Sequence, residues 1–285
     1  MARQTTLGRP VSLEGVGLHS GRLCRMTLLP APAGSGVQWQ RVDLPGRPIV
    51  PATVAHVVET DRSTTIGVGD ARIRTVEHVM AALAGMGVDN ALVQVDAPEP
   101  PLADGAAAAF VDLIREAGLV ELDKPRRVRR VTRPVAVSHG DAHLVALPAD
   151  GLRISYVFVS DHPALPTQFA EYALEAATFG VEIAPARTVG WLAEVEALRR
   201  RGLALGATMD AAVVVGEREL VTPLRFPNEV ARHKILDIIG DLALAGRVEA
   251  QIIAVRSGHF LHAALARQLA ETFAEEVTEE AHQPA

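Results

Sequence analysis

The chain has 285 residues, of which 48% are hydrophobic and 22% charged, and it carries a formal net charge of −6. Such a composition is typical of a globular protein that buries a substantial core, and the negative charge argues against a nucleic-acid surface based on overall charge. The single cysteine, Cys24, excludes an intramolecular disulfide framework and a cysteine-based zinc site, so a metal site would have to use histidine and carboxylate ligands.

The sequence gives no sign of a targeting or membrane segment. Its opening residues contain no apolar signal segment, and no apolar run in the sequence approaches the roughly 18 residues of a membrane span. We therefore expect a cytoplasmic protein without stable membrane insertion.

The first part of the chain is expected to form short strands. Residues 5–31, 37–40 and 49–58 are rich in β-branched residues and are broken by glycine and proline, a pattern that predicts strands separated by turns.

The two halves of the chain end with the same order of predicted elements: a helix, a glycine turn, a strand, a loop and a second helix. In the first half these elements are residues 75–83, 85–87, 90–95, 98–105 and 106–117, and in the second half they are 228–245, 246–247, 249–255, 257–259 and 262–273. An internal repeat of this kind indicates an α+β protein of two similar domains, each a sheet with helices packed on one face. The helix layers would then face each other across the interface, where ligand sites are often built.

The predicted domain boundaries follow from this repeat. We expect a first domain over residues 1–122, a second domain over 135–275 and a short charged tail over 276–285. Between the domains, residues 123–134 alternate basic residues with valine. This alternation favours a linker that forms an edge strand over a nucleic-acid patch.

Residues 184–223 interrupt the second half with a pattern of their own. A helix over 191–201, with apolar positions at three-residue spacing, and a strand over 211–215 would give this insert a small apolar face. Such a face is suited either to lining a channel for an apolar ligand or to forming a separate small core. The pattern alone does not choose between the two.

The helix over 228–245 carries the strongest chemical signal. Its apolar residues have the spacing of one buried stripe: Ile235, Ile238, Ile239 and Leu242. His233 and Asp237 lie one turn apart on another side of this helix, about 6 Å apart at Cβ. The same spacing is common on solvated helix faces, but Glu77 and His78 lie on the corresponding helix of the first half. His78, His233 and Asp237 together make the ligand set of a catalytic zinc, with a fourth position for water.

The same helices supply groups for proton transfer. A divalent metal on these ligands would acidify water and polarise a carbonyl, which makes amide hydrolysis feasible. Glu77, next to a ligand, is suited to accept the proton from that water. His259, in a predicted loop, is the best candidate for the acid that protonates the departing amine, with Asp241 as its carboxylate partner. The remaining histidines lack comparable neighbours and are expected to be mostly surface or capping residues: His19, His56, His139, His143, His162, His262 and His282.

Several segments along nearly the whole chain resemble one enzyme family. They are residues 15–21 (GVGLHSG), 75–85 (TVEHVMAALAG), 104–105 (DG), 186–188 (ART), 201–203 (RGL), 225–226 (RF), 232–237 (RHKILD), 240–241 (GD) and 257–259 (SGH). Any one of these motifs is weak, but together they are specific. On them the chain resembles the zinc-dependent UDP-3-O-acyl-N-acetylglucosamine deacetylases of lipid A biosynthesis. The resemblance implies two α+β domains that hold the active site between their helix layers.

The resemblance also implies a role for each matching residue. It implies one catalytic zinc per chain, or Fe²⁺ in the cell, on the three ligands named above. Glu77 would be the general base, and His259 would be the general acid supported by Asp241. Thr188 would donate a hydrogen bond to the developing oxyanion beside the metal.

Contacts to the rest of the substrate are implied in the same way. Lys234 and Arg256 would face the diphosphate of a UDP-sugar. The insert would form the passage for the acyl chain, with Leu203 among its inward residues. The chain departs from the family pattern in this outer region, at three positions where the family usually has a serine or an aromatic residue: Ala106, Ser160 and Val189.

The function implied is hydrolysis of the N-acetyl amide of UDP-3-O-acyl-N-acetylglucosamine to UDP-3-O-acyl-glucosamine and acetate, the committed step of lipid A biosynthesis. The enzyme would be a monomer whose partner is a small-molecule substrate, with no nucleic acid. Two alternatives remain: a zinc amidohydrolase of the same fold acting on another N-acyl sugar nucleotide, and a non-catalytic binding protein. The complete set of ligands, base and acid argues against the second.

Overall fold

The computed structural model describes residues 2–282 and the side chains of residues 2–273. The strands are β1 (Arg3–Leu7), β2 (Val11–Val16), β3 (Leu23–Pro30), β4 (Val37–Arg41), β5 (Ile49–Pro51), β6 (Val57–Glu59), β7 (Thr65–Val68), β8 (Ala71–Ile73), β9 (Ala91–Val95), β10 (Leu119–Pro125), β11 (Arg129–Arg130), β12 (Val135–His139), β13 (Ala142–Leu147), β14 (Leu152–His162), β15 (Leu165–Ala173), β16 (Val189–Trp191), β17 (Val213–Val215) and β18 (Val248–Val255). The helices are α1 (Glu77–Gly85), α2 (Ala108–Ala117), α3 (Ala176–Thr178), α4 (Leu192–Arg200), α5 (Glu229–Ala243) and α6 (His259–His282).

The main sheets of the two halves have the same topology. The strand order is β2-β3-β9-β4-β5 in the first half and β12-β13-β18-β14-β15 in the second. In each of these strand orders two antiparallel hairpins flank the strand that comes last in the chain, and this strand runs parallel to the first strand of the second hairpin. Buried and less buried residues alternate along β9 and through most of β18, so one face of each sheet meets the core. The α+β class and the internal repeat are therefore confirmed.

Helices α1 and α5 of the two halves pack against each other at the centre of the molecule. They approach very closely at Gly240, where a Cβ atom would lie 2.1 Å from the carbonyl oxygen of Glu77. Only a glycine allows the backbones to come this near. Nearly all of α1 is buried, from Glu77 to Gly85 with the exception of Ala84. Sequence positions from different halves are thereby brought into one buried layer.

The insert packs partly on itself and partly on the first half. Its strands β16 and β17 pair in parallel, and a small separate core contains residues of β15, β17 and α5: Leu165, Val213, Val215 and Val230. Backbone hydrogen bonds join the insert to the first half, from Thr188 N to Gly105 O at 2.8 Å and from Gly206 N to Leu18 O at 3.0 Å. Part of the insert's apolar sequence therefore serves packing.

Several helix boundaries differ from the sequence prediction by one or more residues, and the local structure explains the starts of α1 and α6. Helix α1 begins at Glu77 because Thr75 has a left-handed backbone (φ 55°), which a helix does not accommodate. Helix α6 begins at His259 and not at 262, since the N–H of His262 already bonds to the carbonyl of Gly258 at 3.0 Å. The expectation that His259 lies in a loop was therefore wrong.

The end of the chain also differs from the expectation. Helix α6 continues to His282, through most of the predicted tail, and residues 283–285 lie outside the described residues. Among the described residues, none of the helices combines the length and the apolar character that crossing a membrane requires.

Candidate metal centre

Helices from both halves bring together three side chains that could bind a metal. His78 lies on α1, whereas His233 and Asp237 lie one turn apart on α5. The Nε2 atoms of His78 and His233 are 3.8 and 3.3 Å from Asp237 Oδ1, and all three side chains are buried. Ligand atoms about 2.0–2.1 Å from a tetrahedral zinc stand about 3.3–3.4 Å apart. The cluster therefore has nearly the dimensions of such a site.

Hydrogen bonds around the cluster leave the ligand atoms facing one another. His233 Nδ1 donates to the carbonyl oxygen of Ala186 at 3.0 Å, which fixes the tautomer whose Nε2 carries a lone pair. Lys234 Nζ donates to Asp237 Oδ2 at 2.7 Å, while the buried Asp237 Oδ1 has no hydrogen-bond partner among the described residues. An unpartnered buried carboxylate oxygen is costly. A cation between the three side chains would supply the missing partner, so the residues fit a metal.

Burial and charge give the ligands the protonation states that metal binding needs. Burial lowers the pKa of His78 to about 3, with a further contribution from His233, and it also lowers the pKa of His233. Burial alone would raise the pKa of Asp237, but Lys234 and the nearby histidines hold it well below its usual range. The cluster therefore consists of two neutral imidazoles and one carboxylate, the forms that bind metal.

Glu77 faces the cluster from the first residue of α1. Its Oε2 accepts a hydrogen bond from Thr64 N at 3.0 Å, and its Oε1 lies 3.9 Å from His259 Nε2. Burial raises the pKa of Glu77 to about 8; His259 opposes this shift, and Asp241 and Asp237 reinforce it. A carboxylate with a raised pKa is a stronger proton acceptor once it is ionised.

His259 lies opposite Glu77 and is held by Asp241. Its Nδ1 is 2.8 Å from Asp241 Oδ2, and its Nε2 is 3.9 Å from both Glu77 Oε1 and Asp237 Oδ2. Burial alone would lower the pKa of His259, but Asp241 and Glu77 raise it to about 9. Burial would raise the pKa of Asp241, but His259 and the hydrogen bonds to it lower this pKa to about 2. Asp241 and Glu77 thus favour the protonated imidazole of His259, whose Nε2 faces the cluster.

Two residues near this pair were missed or misjudged from the sequence. Thr64 is fully buried and connects Glu77 with Asp241. Its backbone N–H donates to Glu77 Oε2, and its Oγ1 donates to Asp241 Oδ1 at 2.6 Å. His262 was expected to be a surface or capping residue, but it is 0% exposed and its Nδ1 is 2.8 Å from Asp241 Oδ2. His259 and His262 are three residues apart on α6, a spacing that places two side chains on one face of a helix and indicates that they are neighbours. The predicted helix began only at residue 262, so this relation was missed.

The segment 186–188 lies beside the cluster and is fixed by a buried ion pair. Arg187 bonds through Nε to Glu229 Oε1 at 2.9 Å, and its backbone N–H bonds to the same oxygen at 3.0 Å. Thr188 lies two residues beyond the carbonyl that holds His233, and its own carbonyl accepts from Val213 N at 2.7 Å. The neighbourhood of Thr188 is therefore tied to helix α5, which carries His233.

The remaining predicted site residues lie at different distances from this centre. Lys234 is one residue from a ligand and bonds to Asp237. Arg256 follows β18, and its Nε lies 3.2 Å from Asp141 Oδ2. The Arg256 side chain is 40% exposed. Leu203 is buried, 5% exposed, at the end of the turn that follows α4. Their contacts with a substrate therefore stay predictions.

Comparisons with known proteins identify the family of this chain. The model of one family, described as UDP-3-O-acyl N-acetylglycosamine deacetylase, matches residues 4–271. The chain is 46% identical over 269 residues to the UDP-3-O-acyl-N-acetylglucosamine deacetylase of Anaeromyxobacter sp. (strain Fw109-5), a match that covers 93% of this chain and 88% of the relative.

Proteins of the same name from other bacteria match to a similar extent. The identity is 44% over 272 residues for Geobacter sp. (strain M21), with 94% of this chain and 89% of the relative covered. It is 44% over 274 residues for a Nostoc species, with 94% and 98% covered. Matches of this extent and identity show that the chain belongs to the UDP-3-O-acyl N-acetylglycosamine deacetylase family.

Proposed function

We propose that this protein removes the N-acetyl group of UDP-3-O-acyl-N-acetylglucosamine by metal-dependent hydrolysis, giving UDP-3-O-acyl-glucosamine and acetate. The observation that carries this proposal is the unpartnered Asp237 Oδ1, which faces the Nε2 atoms of His78 and His233. Zinc is the metal that this donor set suits best, because two imidazoles and one carboxylate leave a fourth position open. The names of the family relatives support the substrate.

The residues around the ligands divide the proton transfers between them. When bound, the metal supplies acidification of water and polarisation of the amide carbonyl. Glu77 accepts the proton of the attacking water, and the charge of a bound metal cation would favour its ionised form. His259, held protonated by Asp241, gives a proton to the departing amine. The two groups are 3.9 Å apart, so a reacting amide would contact both.

Residues beyond the metal would bind the rest of the substrate. Thr188 donates to the oxyanion that develops on the amide carbonyl. Lys234 and Arg256 contact the diphosphate, as their positive charge suits. In this proposal the enzyme acts in the cytoplasm as a monomer with one zinc per chain.

The insert is proposed to hold the acyl chain, with Leu203 as part of its wall. Support comes from large apolar side chains of the insert that are between 41% and 50% exposed: Leu192, Leu205, Met209 and Val221. The backbone of Leu205 bonds to His19 O at 3.3 Å, so this apolar surface borders the first half. An acyl chain would cover such exposed side chains.

An assay on purified, zinc-loaded protein tests the proposed function. We expect acetate release from UDP-3-O-acyl-N-acetylglucosamine and loss of that activity in Glu77→Gln, which should keep the metal. Inactivity on this substrate with turnover of another N-acyl sugar nucleotide would identify the alternative amidohydrolase. Binding of UDP-3-O-acyl-N-acetylglucosamine without hydrolysis of it or of any other N-acyl sugar nucleotide tested would refute an enzymatic role.

A further inference from the structure

His262 shares the carboxylate that holds the candidate general acid. The Nδ1 atoms of His259 and His262 both lie 2.8 Å from Asp241 Oδ2, and the two rings meet edge to face with centroids 5.8 Å apart. Thr64 Oγ1 donates to the other oxygen, Oδ1, at 2.6 Å. One buried carboxylate therefore contacts three donor groups, of which only His259 reaches the metal cluster.

The hydrogen-bond partners of His262 define its tautomer. Asp241 is ionised, since its pKa is lowered to about 2, and an ionised carboxylate only accepts hydrogen bonds. His262 Nδ1 must therefore carry a proton. Its Nε2 lies 3.0 Å from Ser257 Oγ, and burial lowers the pKa of His262, so the ring is neutral and Nε2 accepts from the serine hydroxyl. The Nδ1–H form is the less common neutral form of a histidine side chain, and here the carboxylate of Asp241 selects it.

We propose that His262 is a positioning residue for the deacetylation, which acts on His259 through the shared oxygen of Asp241. With Oδ1 fixed by Thr64 and Oδ2 by His262, the carboxylate cannot rotate about its Cβ–Cγ bond. The ring of His259 is thereby aimed so that Nε2 stays 3.9 Å from Glu77 Oε1. This inference rests on the proposed function.

The hydrogen bond from His262 to Asp241 Oδ2 also affects the proton on Nδ1 of His259. A hydrogen bond from His262 stabilises the charged form of Asp241 and so makes this carboxylate a weaker base. A weaker base leaves the Nδ1 proton on His259. Removal of His262 would leave the Oδ2 charge with one donor fewer in a buried site, where such bonds are strongest.

Paired substitutions at position 262 test the proposal. In asparagine the Nδ2 amide is bonded to Cγ as Nδ1 is in histidine, so His262→Asn can keep the donor to Asp241, whereas His262→Leu fills similar space without it. For zinc-loaded protein we expect His262→Leu to lower kcat about 10-fold or more with little change in KM, and His262→Asn to restore most of that loss. Zinc content should be the same in all three proteins.

A control variant separates the hydrogen bond from packing at the start of α6. Ser257→Ala removes the bond on the far side of His262 and should leave kcat within about twofold of wild type. The proposal is overturned if His262→Leu keeps the wild-type kcat, if His262→Asn falls as far as His262→Leu, or if Ser257→Ala loses as much as His262→Leu.

A spectroscopic measurement tests the inference without activity. In protein labelled with ¹⁵N at its 10 histidines, long-range ¹⁵N–¹H correlations distinguish the two neutral tautomers, and His262→Asn assigns the signal. We expect the Nδ1–H form for His262; an Nε2–H form would contradict the proposal even if the enzyme is active. A wild-type protein that hydrolyses no N-acyl sugar nucleotide would instead refute the proposed function, whatever the tautomer.

Discussion

At the scale of single residues, the metal cluster has no redundancy. His78, His233 and Asp237 each offer one atom, and no fourth His, Cys, Asp or Glu joins that group among the described residues. We expect His78→Ala, His233→Ala and Asp237→Ala each to lower zinc content and activity together. Elemental analysis of the purified variants measures this, with Glu77→Ala as the control that keeps zinc. Full zinc content in all three variants would mean that the metal binds elsewhere.

The pH dependence of activity follows from the two proton-transfer groups. Glu77 must be ionised, so kcat/KM should rise with pH through its pKa, which burial raises to about 8. His259 must be protonated, so kcat/KM should fall as pH passes its pKa, raised to about 9 by Asp241 and Glu77 against the effect of burial. The charge of a bound metal cation would lower the pKa of Glu77 and shift the acid limb to lower pH. The expected pH profile is bell-shaped. Its two apparent pKa values describe the interacting groups of the site together and not Glu77 or His259 alone.

Substitution identifies the alkaline limb of this bell. His259→Gln should lower kcat/KM by about 10²–10⁴-fold and should remove or displace the fall above pH 9, while zinc content stays the same. The measurement is kcat/KM across the pH range for both proteins. An unchanged rate and profile in His259→Gln would exclude His259 as the acid.

At the scale of elements, the close crossing of α1 and α5 determines the geometry of the site. In Gly240→Ala the added Cβ would lie 2.1 Å from the carbonyl oxygen of Glu77, so α1 must move away from α5. We expect a stability loss of about 1–3 kcal/mol from overpacking and a loss of activity of up to about 10²-fold, because Glu77 and His78 move with the helix.

A second glycine near the site gives the matched control. Gly258 precedes His259, and a Cβ there would meet no atom within 4 Å. Gly258→Ala should therefore keep zinc binding and most activity, as measured by urea denaturation and the deacetylase assay. If Gly240→Ala behaves like Gly258→Ala, the close contact of the helices does not matter for the site.

The sequence predicted the features that local spacing encodes. His233 and Asp237 share a helix, and Glu77 and His78 are adjacent, so periodicity together with the internal repeat indicated these four residues as candidate ligands and base. Thr64 and Asp241 are separated by 177 residues, and the His262–Asp241 bond joins different helices. No local pattern records such contacts, because they depend on how the elements pack.

The same limit applied to the sheets. Helices and glycine turns near the end of each half were predictable, and with them the repeat. The insertion of β9 between β3 and β4 was not, since it depends on pairing between strands far apart in the chain. Strands β7 and β8 lie outside the predicted strand ranges, because four and three residues are too few to show an alternating pattern.

At the scale of the whole molecule, metal binding should link the stabilities of the two halves. His78 belongs to the first half, and His233 and Asp237 belong to the second, so a zinc ion on all three would bind only when both halves are folded. A ligand present at about 1,000 times its Kd adds about 4.1 kcal/mol of stability. We expect zinc to raise the unfolding temperature of both halves by the same amount.

The two tryptophans of the chain allow this to be measured. Trp39 is buried in the first half, and Trp191 lies in the insert of the second. Fluorescence of Trp191→Phe reports on the first half and that of Trp39→Phe on the second, and within each variant the shift on adding zinc is compared with the metal-free protein. His78→Ala in either background should abolish most of the shift at both probes, because the remaining ligands belong to one half. A zinc-induced shift confined to Trp191, or retained without His78, would show that the second half binds the metal alone.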